Sequence, residues 1–174
     1  MKNALREKLQ SIRVLAMDVD GVLTDGRIRL DPDGNEIKAF HSHDGVGLVL
    51  LDKAGYKTAI ISARRSRAVQ VRARELGIDK LYLGARRKET ALERLLRDLK
   101  VTAREVCYVG DDLTDLRVLR RVGLAVTVPA APEEVKRIAD YVTKRAGGDG
   151  AVREVAELIL RANGKWESAL AEYD

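Results

Sequence analysis

Five aspartates follow two short apolar runs of the sequence, at residues 14–17 and 106–109. They are Asp18 and Asp20 after the first run, and Asp111, Asp112 and Asp115 after the second. Carboxylates that converge on one spot repel one another unless a cation lies among them. Because oxygen atoms are the only candidate ligands, the pattern predicts a hard ion, Mg2+ rather than zinc. The same groups can also serve as a nucleophile and as a proton carrier.

A serine and a lysine accompany these carboxylates. Ser62 ends another apolar run, and Lys88 follows a further run by a few residues, at the start of a helical pattern. A hydroxyl and an ammonium beside a metal suit the negatively charged oxygens of a phosphoryl group. Each residue alone has a structural explanation, since Asp and Ser commonly cap helices and an exposed Lys is commonly solvated. Their order along the chain, each at or just after a strand end, favours phosphoryl transfer over that explanation.

The positions of these residues depend on an alternation of short apolar runs with helical patterns. The runs predict buried strands at residues 14–17, 58–61, 81–83, 106–109 and 124–128. The patterns predict helices at residues 45–54, 66–76, 88–99, 114–122 and 150–161. Such alternation indicates an α/β fold with a parallel sheet and helices on both faces. In such sheets functional groups gather at the carboxyl ends of the strands, where Gly21 and Gly110 allow sharp turns.

One segment departs from this alternation. Residues 27–30 and 36–40 alternate polar and apolar side chains around Asp31-Pro32-Asp33-Gly34-Asn35, which predicts a β-hairpin. A lone hairpin is marginally stable in water, so we expect it to pack against another surface. Neither a repeat nor a linker interrupts the chain. We therefore predict a single domain over residues 1–174, ending in a polar tail at residues 162–174.

The composition is that of a globular protein with an excess of basic residues. Apolar residues make up 45% of the 174 residues, enough for a substantial core. The net charge is +5, but the basic residues are spread along helical segments without interleaved aromatics, so we do not expect nucleic-acid binding. No run of 18 apolar residues could span a bilayer, no signal peptide is visible, and a single cysteine, Cys107, excludes an internal disulfide. We expect a cytoplasmic protein without membrane contact.

The motifs resemble those of the haloacid dehalogenase-like (HAD) superfamily, namely Asp18-Val19-Asp20-Gly21, Ser62, Lys88 and Gly110-Asp111-Asp112. A narrower resemblance is to the 3-deoxy-D-manno-octulosonate 8-phosphate (KDO 8-phosphate) phosphatase family. It is carried by Asp25-Gly26, residues 40–45, residues 110–116 and Gly147-Gly148-Asp149-Gly150-Ala151-Val152-Arg153-Glu154. The resemblance covers roughly residues 12–164, and the C-terminal segment is far more specific than the superfamily motifs.

The resemblance implies a three-layer, Rossmann-like HAD fold with a central parallel sheet, a protruding β-hairpin and no cap domain. The spacing agrees independently, because only 25 residues separate Ser62 from Lys88, too few for an inserted cap besides a helix and a strand. A site without a lid stays open to water, whereas catalysis benefits when water is excluded. In this family the hairpins assemble a homotetramer in which a neighbouring subunit helps to close the site. The resemblance assigns that role to the hairpin at residues 26–40, and it implies that residues 145–150 approach a neighbouring active site.

The resemblance also implies a role for each aspartate. Asp18 would attack phosphorus and form an aspartyl-phosphate, while Asp20 would protonate the leaving alkoxide and then activate water. Mg2+ would bind the Asp18 carboxylate, the Asp20 main-chain carbonyl and Asp111. Asp112 and Asp115 would orient the metal shell or Lys88 rather than carry chemistry themselves.

Four further residues would bind the substrate. Ser62 and Lys88 would hold the phosphoryl oxygens. KDO 8-phosphate is a sugar acid that carries a carboxylate as well as a phosphate, so basic residues are expected near the site. Arg64 occupies a position where close relatives carry Arg, and helical spacing could place Arg72 near the same edge. Either arginine could instead lie on a solvated helix face.

This sequence departs from the family pattern at several positions. Ala63 replaces a common Gly, Arg86-Arg87 replaces a Ser-Asp pair before the lysine, and His43 stands where Arg is common. These changes leave the core groups intact but could alter which phosphorylated sugar acid fits. Three hypotheses stay open: a KDO 8-phosphate phosphatase that feeds lipopolysaccharide synthesis, a phosphatase for a related sugar acid phosphate such as a sialic acid 9-phosphate, and a non-catalytic HAD-fold interaction protein. The complete set of catalytic groups speaks against the third.

Overall fold

A computed structural model of the protein describes residues 3–171. Its strands are β1 (Val14–Met17), β2 (Arg29–Leu30), β3 (Glu36–Ile37), β4 (Lys57–Ser62), β5 (Lys80–Leu83), β6 (Val106–Val109), β7 (Leu124–Thr127) and β8 (Tyr141–Val142). Its α-helices are α1 (Asn3–Ser11), α2 (Ser42–Lys53), α3 (Arg67–Glu75), α4 (Lys88–Leu99), α5 (Leu116–Leu119), α6 (Glu133–Lys136), α7 (Ala151–Ala162) and α8 (Trp166–Leu170). Two short 3-10 turns span Ala103–Glu105 and Leu113–Asp115.

Six of these strands form one parallel sheet in the order β5-β4-β1-β6-β7-β8. The central strand β1 is buried along its whole length, as its uninterrupted apolar sequence predicts. Met17 at its carboxyl end is level with Ile60 of β4 and Val109 of β6. Residues that follow these three strands therefore meet at one edge of the sheet. The five predicted strands are confirmed; β8 was not predicted because two residues are too short to show a pattern.

Helices cover both faces of the sheet, which confirms the three-layer α/β architecture. Side chains alternate along a strand, so Leu15 and Met17 pack on one face with residues of α1, α2, α3 and α7. Val14 and Ala16 pack on the other face with residues of α4, α5 and α6. Leu92 of α4 is fully buried in this second layer. Replacing such a side chain by Ala typically costs about 2–5 kcal/mol of stability.

Two of the segments that carry the narrower family resemblance, residues 40–45 and 147–154, lie against each other on the face of the sheet that α2 and α7 cover. Asp44 at the start of α2 is buried, and its Oδ1 accepts a hydrogen bond of 2.8 Å from the Arg153 amide of α7. A Cβ on Gly47 would lie 3.0 Å from the Arg153 Cα, so the two helices pass close to each other at this glycine. Both segments thus have a structural role in joining α2 to α7.

The predicted hairpin is confirmed, and it stands outside the main sheet. β2 pairs with β3 in antiparallel register, Arg29 with Ile37 and Leu30 with Glu36. Its turn is closed by Asp31, whose carboxylate accepts a 2.7 Å hydrogen bond from the Asn35 amide. The paired strands are shorter than predicted, since only Arg29–Leu30 and Glu36–Ile37 are paired.

Three other segments differ from the sequence prediction. The helix expected at residues 114–122 is a 3-10 turn followed by the single turn of α5. α1 was not predicted. The tail at residues 162–174 contains α8, because Trp166 is buried and lies under the Arg161 guanidinium at 4.3 Å; residues 172–174 lie outside the described part. No helix among the described residues is long and apolar enough to cross a membrane.

Candidate active site

The carboxyl ends of β1 and β6 bring Asp18 and Asp111 together. The Asp18 amide donates a 3.0 Å hydrogen bond to the Val109 carbonyl, which fixes the first loop against the second strand. Gly21 has a φ of +87°, and a Cβ at this position would collide with the Asp111 carboxylate. Glycine is therefore required here both for the turn and for the close approach.

Lys88 lies at the first turn of α4 and joins two of these aspartates. Its Nζ donates to Asp18 Oδ2 at 2.5 Å and to Asp115 Oδ1 at 2.7 Å. The lysine is only 2% exposed. Burial lowers the pKa of the ammonium, but the charges of Asp18 and Asp115 outweigh burial and hold that pKa above its usual value. The predicted phosphate-binding lysine is thus a buried, charged group in direct contact with the predicted nucleophile.

Asp115 is fully buried, and both of its oxygens are occupied by this chain. Oδ1 accepts the Tyr108 hydroxyl at 2.7 Å besides the lysine. Oδ2 accepts the main-chain amides of Asp111 and Asp112 at 3.2 and 3.3 Å. Asp115 therefore joins Lys88, Tyr108 and the loop after β6. Tyr108, which the sequence reading missed, is the buried side chain that completes this hydrogen bonding.

Oxygens of Asp18, Asp111 and Asp115 lie within 4.8 Å of one another. Burial is the main reason why the pKa of Asp18 is raised to about 6 and that of Asp111 to about 7; repulsion by Asp115 adds to both shifts, and repulsion by Asp18 adds to that of Asp111. The Asp111 carboxylate accepts no hydrogen bond from a described residue. Because Asp115 is already saturated, Asp18 and Asp111 are the side chains left to hold a cation. The neighbouring residues do not fully neutralise these two carboxylates, so the pair suits a hard divalent ion such as Mg2+.

Asp20 lies beside this cluster in a different environment. Its carboxylate forms an ion pair with Lys38 and lies 3.9 Å from the Arg64 Nε. Glu36 joins the same group, 3.2 Å from the Lys38 Nζ and 2.8 Å from the Arg64 Nη2. Lys38 was not predicted as a site residue, although the period-two pattern of the hairpin placed residues 36 and 38 on one face. The hairpin thus contributes two charged side chains to the surroundings of Asp20.

Ser62 ends β4 on the other side of Asp18. Its side chain is buried, and its Oγ accepts a 3.2 Å hydrogen bond from the Arg64 amide. Most of the predicted residues open onto one cleft of about 240 Å3, lined by Asp18, Asp20, Gly26, Ser62, Ala63, Arg64, Lys88, Asp111, Asp112 and Thr114. Asp112 lies at its rim, where Oδ1 accepts the Leu113 amide at 2.7 Å.

Besides the fully buried Asp115, Arg72 is the predicted residue that does not line this cleft. It lies on α3, where Nη1 donates to Glu75 at 2.9 Å and Nη2 would lie 2.5 Å from a Cβ on Gly45. Arg72 and Arg64 both line an adjoining open groove of about 860 Å3 between the hairpin and α3. Arg64 alone borders both spaces, so a ligand that reaches Arg72 must extend from the cleft into this groove.

Comparisons with known proteins identify relatives of this chain. The profile of the haloacid dehalogenase-like hydrolases matches residues 84–155. The chain is 45% identical over 162 residues to the KDO 8-phosphate phosphatase KdsC of Escherichia coli K12, covering 93% of this chain and 86% of that protein. It is 41% identical over 161 residues to KdsC of Haemophilus influenzae, covering 92% and 89%.

Solved structures of the same family also have the same fold as this chain. A crystal structure of KDO 8-phosphate phosphatase from Moraxella catarrhalis in complex with a magnesium ion, a phosphate ion and KDO is 41% identical. It superposes with a TM-score of 0.97 and covers the whole of both chains. The KDO 8-phosphate phosphatase of Yersinia pestis is 42% identical with a TM-score of 0.93, covering 95% of this chain and 89% of that one.

Proposed function

This chain belongs to the KDO 8-phosphate phosphatase family of haloacid dehalogenase-like hydrolases, and on that premise we propose how its residues act. It is a Mg2+-dependent phosphatase that hydrolyses KDO 8-phosphate to KDO and phosphate, a step of lipopolysaccharide synthesis. The observation that carries this function is the cluster at the ends of β1 and β6, where Asp18 and Asp111 face each other beside the buried Lys88. That arrangement combines a nucleophile, a cation site and a cradle for phosphoryl oxygens.

Asp18 is the nucleophile of the proposed mechanism. Its Oδ1 accepts the Val19 amide at 2.7 Å and its Oδ2 accepts Lys88, so the carboxylate is held in one orientation. A carboxylate oxygen attacks phosphorus, the bond between phosphorus and the substrate's C8 oxygen breaks, and Asp20 gives that oxygen a proton. Asp20 then takes a proton from water, which attacks the aspartyl-phosphate and releases phosphate and free Asp18.

The two aspartates suit different roles because their surroundings differ. Asp18 is 8% exposed and shares Lys88 with Asp115. Asp20 lies outside that network and is oriented by Lys38 and Arg64. The two carboxyl groups are thus held by separate sets of cations, which allows one to act as the nucleophile while the other is oriented toward the leaving oxygen.

Mg2+ would be held by the side chains of Asp18 and Asp111 and by the Asp20 main-chain carbonyl. When bound, the ion supplies positive charge that neutralises the carboxylates and the phosphoryl oxygens. Lys88 and the Ser62 hydroxyl bind the phosphoryl oxygens from the side of β4 and α4, and Asp112 and Asp115 keep this arrangement in place.

Arg64 and Arg72 are the proposed contacts for the carboxylate and hydroxyl groups of the sugar acid. Arg64 borders both the cleft and the groove that leads to Arg72. A bidentate guanidinium suits a carboxylate. Both arginines are engaged by Glu36 or Glu75 in this structure, so the substrate must compete with those carboxylates.

The hairpin is the proposed assembly element of a homotetramer. Ile28, Leu30 and Ile37 are 47%, 61% and 52% exposed although they are large and apolar. Such a patch on so small an element is typical of an interaction surface, and it supports the tetramer that the family resemblance implies. The Gly147–Gly148 loop packs on the same chain's Gly21 and donates a 2.9 Å hydrogen bond to the Val22 carbonyl; its approach to a neighbouring site stays a prediction. We also propose a single domain that acts in the cytoplasm.

Phosphate release from a panel of sugar phosphates tests this proposal. With Mg2+, KDO 8-phosphate is expected to be hydrolysed faster than N-acetylneuraminate 9-phosphate, and chelation of the metal is expected to stop both reactions. Asp18→Asn is the matched inactive control. Preference for the nine-carbon substrate would replace KDO 8-phosphate by a sialic acid phosphate, and no release from any substrate would leave the interaction-protein hypothesis.

A further inference from the structure

Strand β5 forms one edge of the main sheet, and arginines surround it. The strand order leaves one side of β5 without a neighbouring strand in the described chain. A groove of about 630 Å3 follows this edge from Leu81 to Arg87. Four arginines line the groove, namely Arg65, Arg86, Arg87 and Arg94, and none of its described lining residues is acidic.

Three of the four positive charges lack a counter-charge. Arg87 is paired with Glu89 at 3.3 Å, whereas Arg65, Arg86 and Arg94 make no ion pair with any carboxylate of residues 3–171. By contrast, Arg117 of α5 pairs with Glu89 at 2.9 Å. The edge is therefore an exposed, positively charged surface that the phosphatase mechanism does not use.

The unpaired arginines lie on both sides of the strand. Tyr82 packs in the layer of α4, and the Arg94 guanidinium lies 5.5 Å from the centre of its ring. Leu81 and Leu83 pack toward the other layer, which contains α3. Arg65 precedes α3 and lies over Gly84, where a Cβ would be 2.7 Å from its Nε. Asp98 of α4 accepts a 2.7 Å hydrogen bond from the Tyr82 hydroxyl.

A β-strand is the ligand shape that fits these features. An edge strand presents unpaired main-chain N–H and C=O groups, which an extended peptide can satisfy by joining the sheet. Side chains of an added strand alternate between the two faces, so acidic residues on both faces would meet arginines. A second copy of β5 would bring the same arginines to the edge, and like charges opposite each other are destabilising.

We propose that the β5 edge binds an extended acidic segment of another protein as an additional strand, with its carboxylates paired to Arg65, Arg86 and Arg94. The main-chain hydrogen bonds supply the affinity, and the arginines select acidic over neutral or basic segments. This surface is separate from the phosphatase function and does not depend on it.

Fluorescence anisotropy of a labelled, end-capped peptide of about eight residues that repeats Glu-Glu-Val-Val, and so presents Glu on both faces of an extended strand, tests the proposal. The full-length protein with Mg2+ is expected to bind it saturably. The same peptide with alternate amides N-methylated keeps its charge but loses hydrogen-bonding donors, and is expected to bind at least about tenfold more weakly. Arg65→Glu and Arg94→Glu are expected to weaken binding by about tenfold or more each.

Arg137→Glu, just after α6, is the matched control, since it makes the same charge change at an exposed position away from β5; its binding is expected to stay within about twofold of the wild type. Phosphatase activity of Arg94→Glu is expected to be unchanged, which shows that its loss of binding is not unfolding. Equal binding of the N-methylated peptide, equal loss in Arg137→Glu, or no saturable binding up to about 1 mM, the weak end of specific association, would each overturn the proposal.

Discussion

Asp111→Asn is expected to stabilise the metal-free protein against unfolding and to remove the additional stabilisation that Mg2+ gives the wild type. Burial, together with repulsion by Asp18 and Asp115, raises the pKa of Asp111 from 3.8 to about 7. The folded state therefore binds a proton more readily than the unfolded chain between these pH values. The energetic cost of the charged group is absent below pH 4, grows as the pH rises, and is complete above pH 7. Asn is uncharged at every pH, so the variant does not have this energetic cost.

The size of the effect follows from the shift. About three pKa units at about 1.36 kcal/mol each correspond to about 4 kcal/mol. The Asp111 side chain lies in a cleft open to water, and solvent screening reduces the expected gain to about 2 kcal/mol. At pH 5 most of the difference between the two proteins should vanish.

Urea unfolding in EDTA at pH 8 and pH 5 measures this difference. Asp112→Asn is the matched control, because it makes the same substitution at the adjacent rim position, where Asn can still accept the Leu113 amide. Added Mg2+ is expected to stabilise the wild type and the control but not Asp111→Asn. If Asp111→Asn were neutral or destabilising in EDTA at pH 8, the carboxylate repulsion inferred for this site would be wrong.

Three further substitutions test other parts of the site and the assembly. Lys88→Met leaves two buried carboxylates without their cation and should lower the free energy of unfolding by about 3–5 kcal/mol, and phosphate release should be lost; unchanged urea unfolding would contradict the buried ion pair. Lys38→Met should slow hydrolysis of KDO 8-phosphate more than that of p-nitrophenyl phosphate, because the nitrophenolate leaving group needs no proton from Asp20; equal losses in kcat would show that Lys38 does not position Asp20. Leu30→Glu places charge in the exposed apolar patch of the hairpin and should reduce the tetramer mass measured by light scattering; an unchanged mass would exclude the hairpin as the contact.

The position of the main site could be predicted because it depends on features that are visible in the sequence. Asp18, Ser62 and Asp111 follow apolar runs that can only be buried strands, and parallel strands in neighbouring positions place their carboxyl ends together. Lys88 follows β5 at the start of an amphipathic helix, and its spacing from Ser62 leaves no room for a cap. The three-layer fold is predictable on the same grounds.

The surroundings of Asp20 could not be predicted in the same way. The Lys38 side chain is buried and forms an ion pair with Asp20, and such a tertiary contact does not follow from the period-two pattern of the hairpin. The same limitation applies to Arg72: helical spacing could place it near the edge of the cleft, but it contacts Glu75 and the surroundings of Gly45 and lines the adjoining groove instead. Tyr108 was not recognised because it lies within an apolar run, where a tyrosine is readily interpreted as a core residue without a polar role.

The covalent role of Asp18 is the central claim of the mechanism, and acid quenching during turnover tests it most directly. Wild-type protein is mixed with KDO 8-phosphate and Mg2+, quenched in acid, reduced with borohydride and digested for mass spectrometry. Borohydride reduces an aspartyl-phosphate, so the peptide is expected to carry homoserine in place of Asp18 only when substrate and Mg2+ are both present. The modification is expected to be absent from Asp18→Asn. Rapid phosphate release with no modification at Asp18, or with the modification at another carboxylate, would contradict the mechanism.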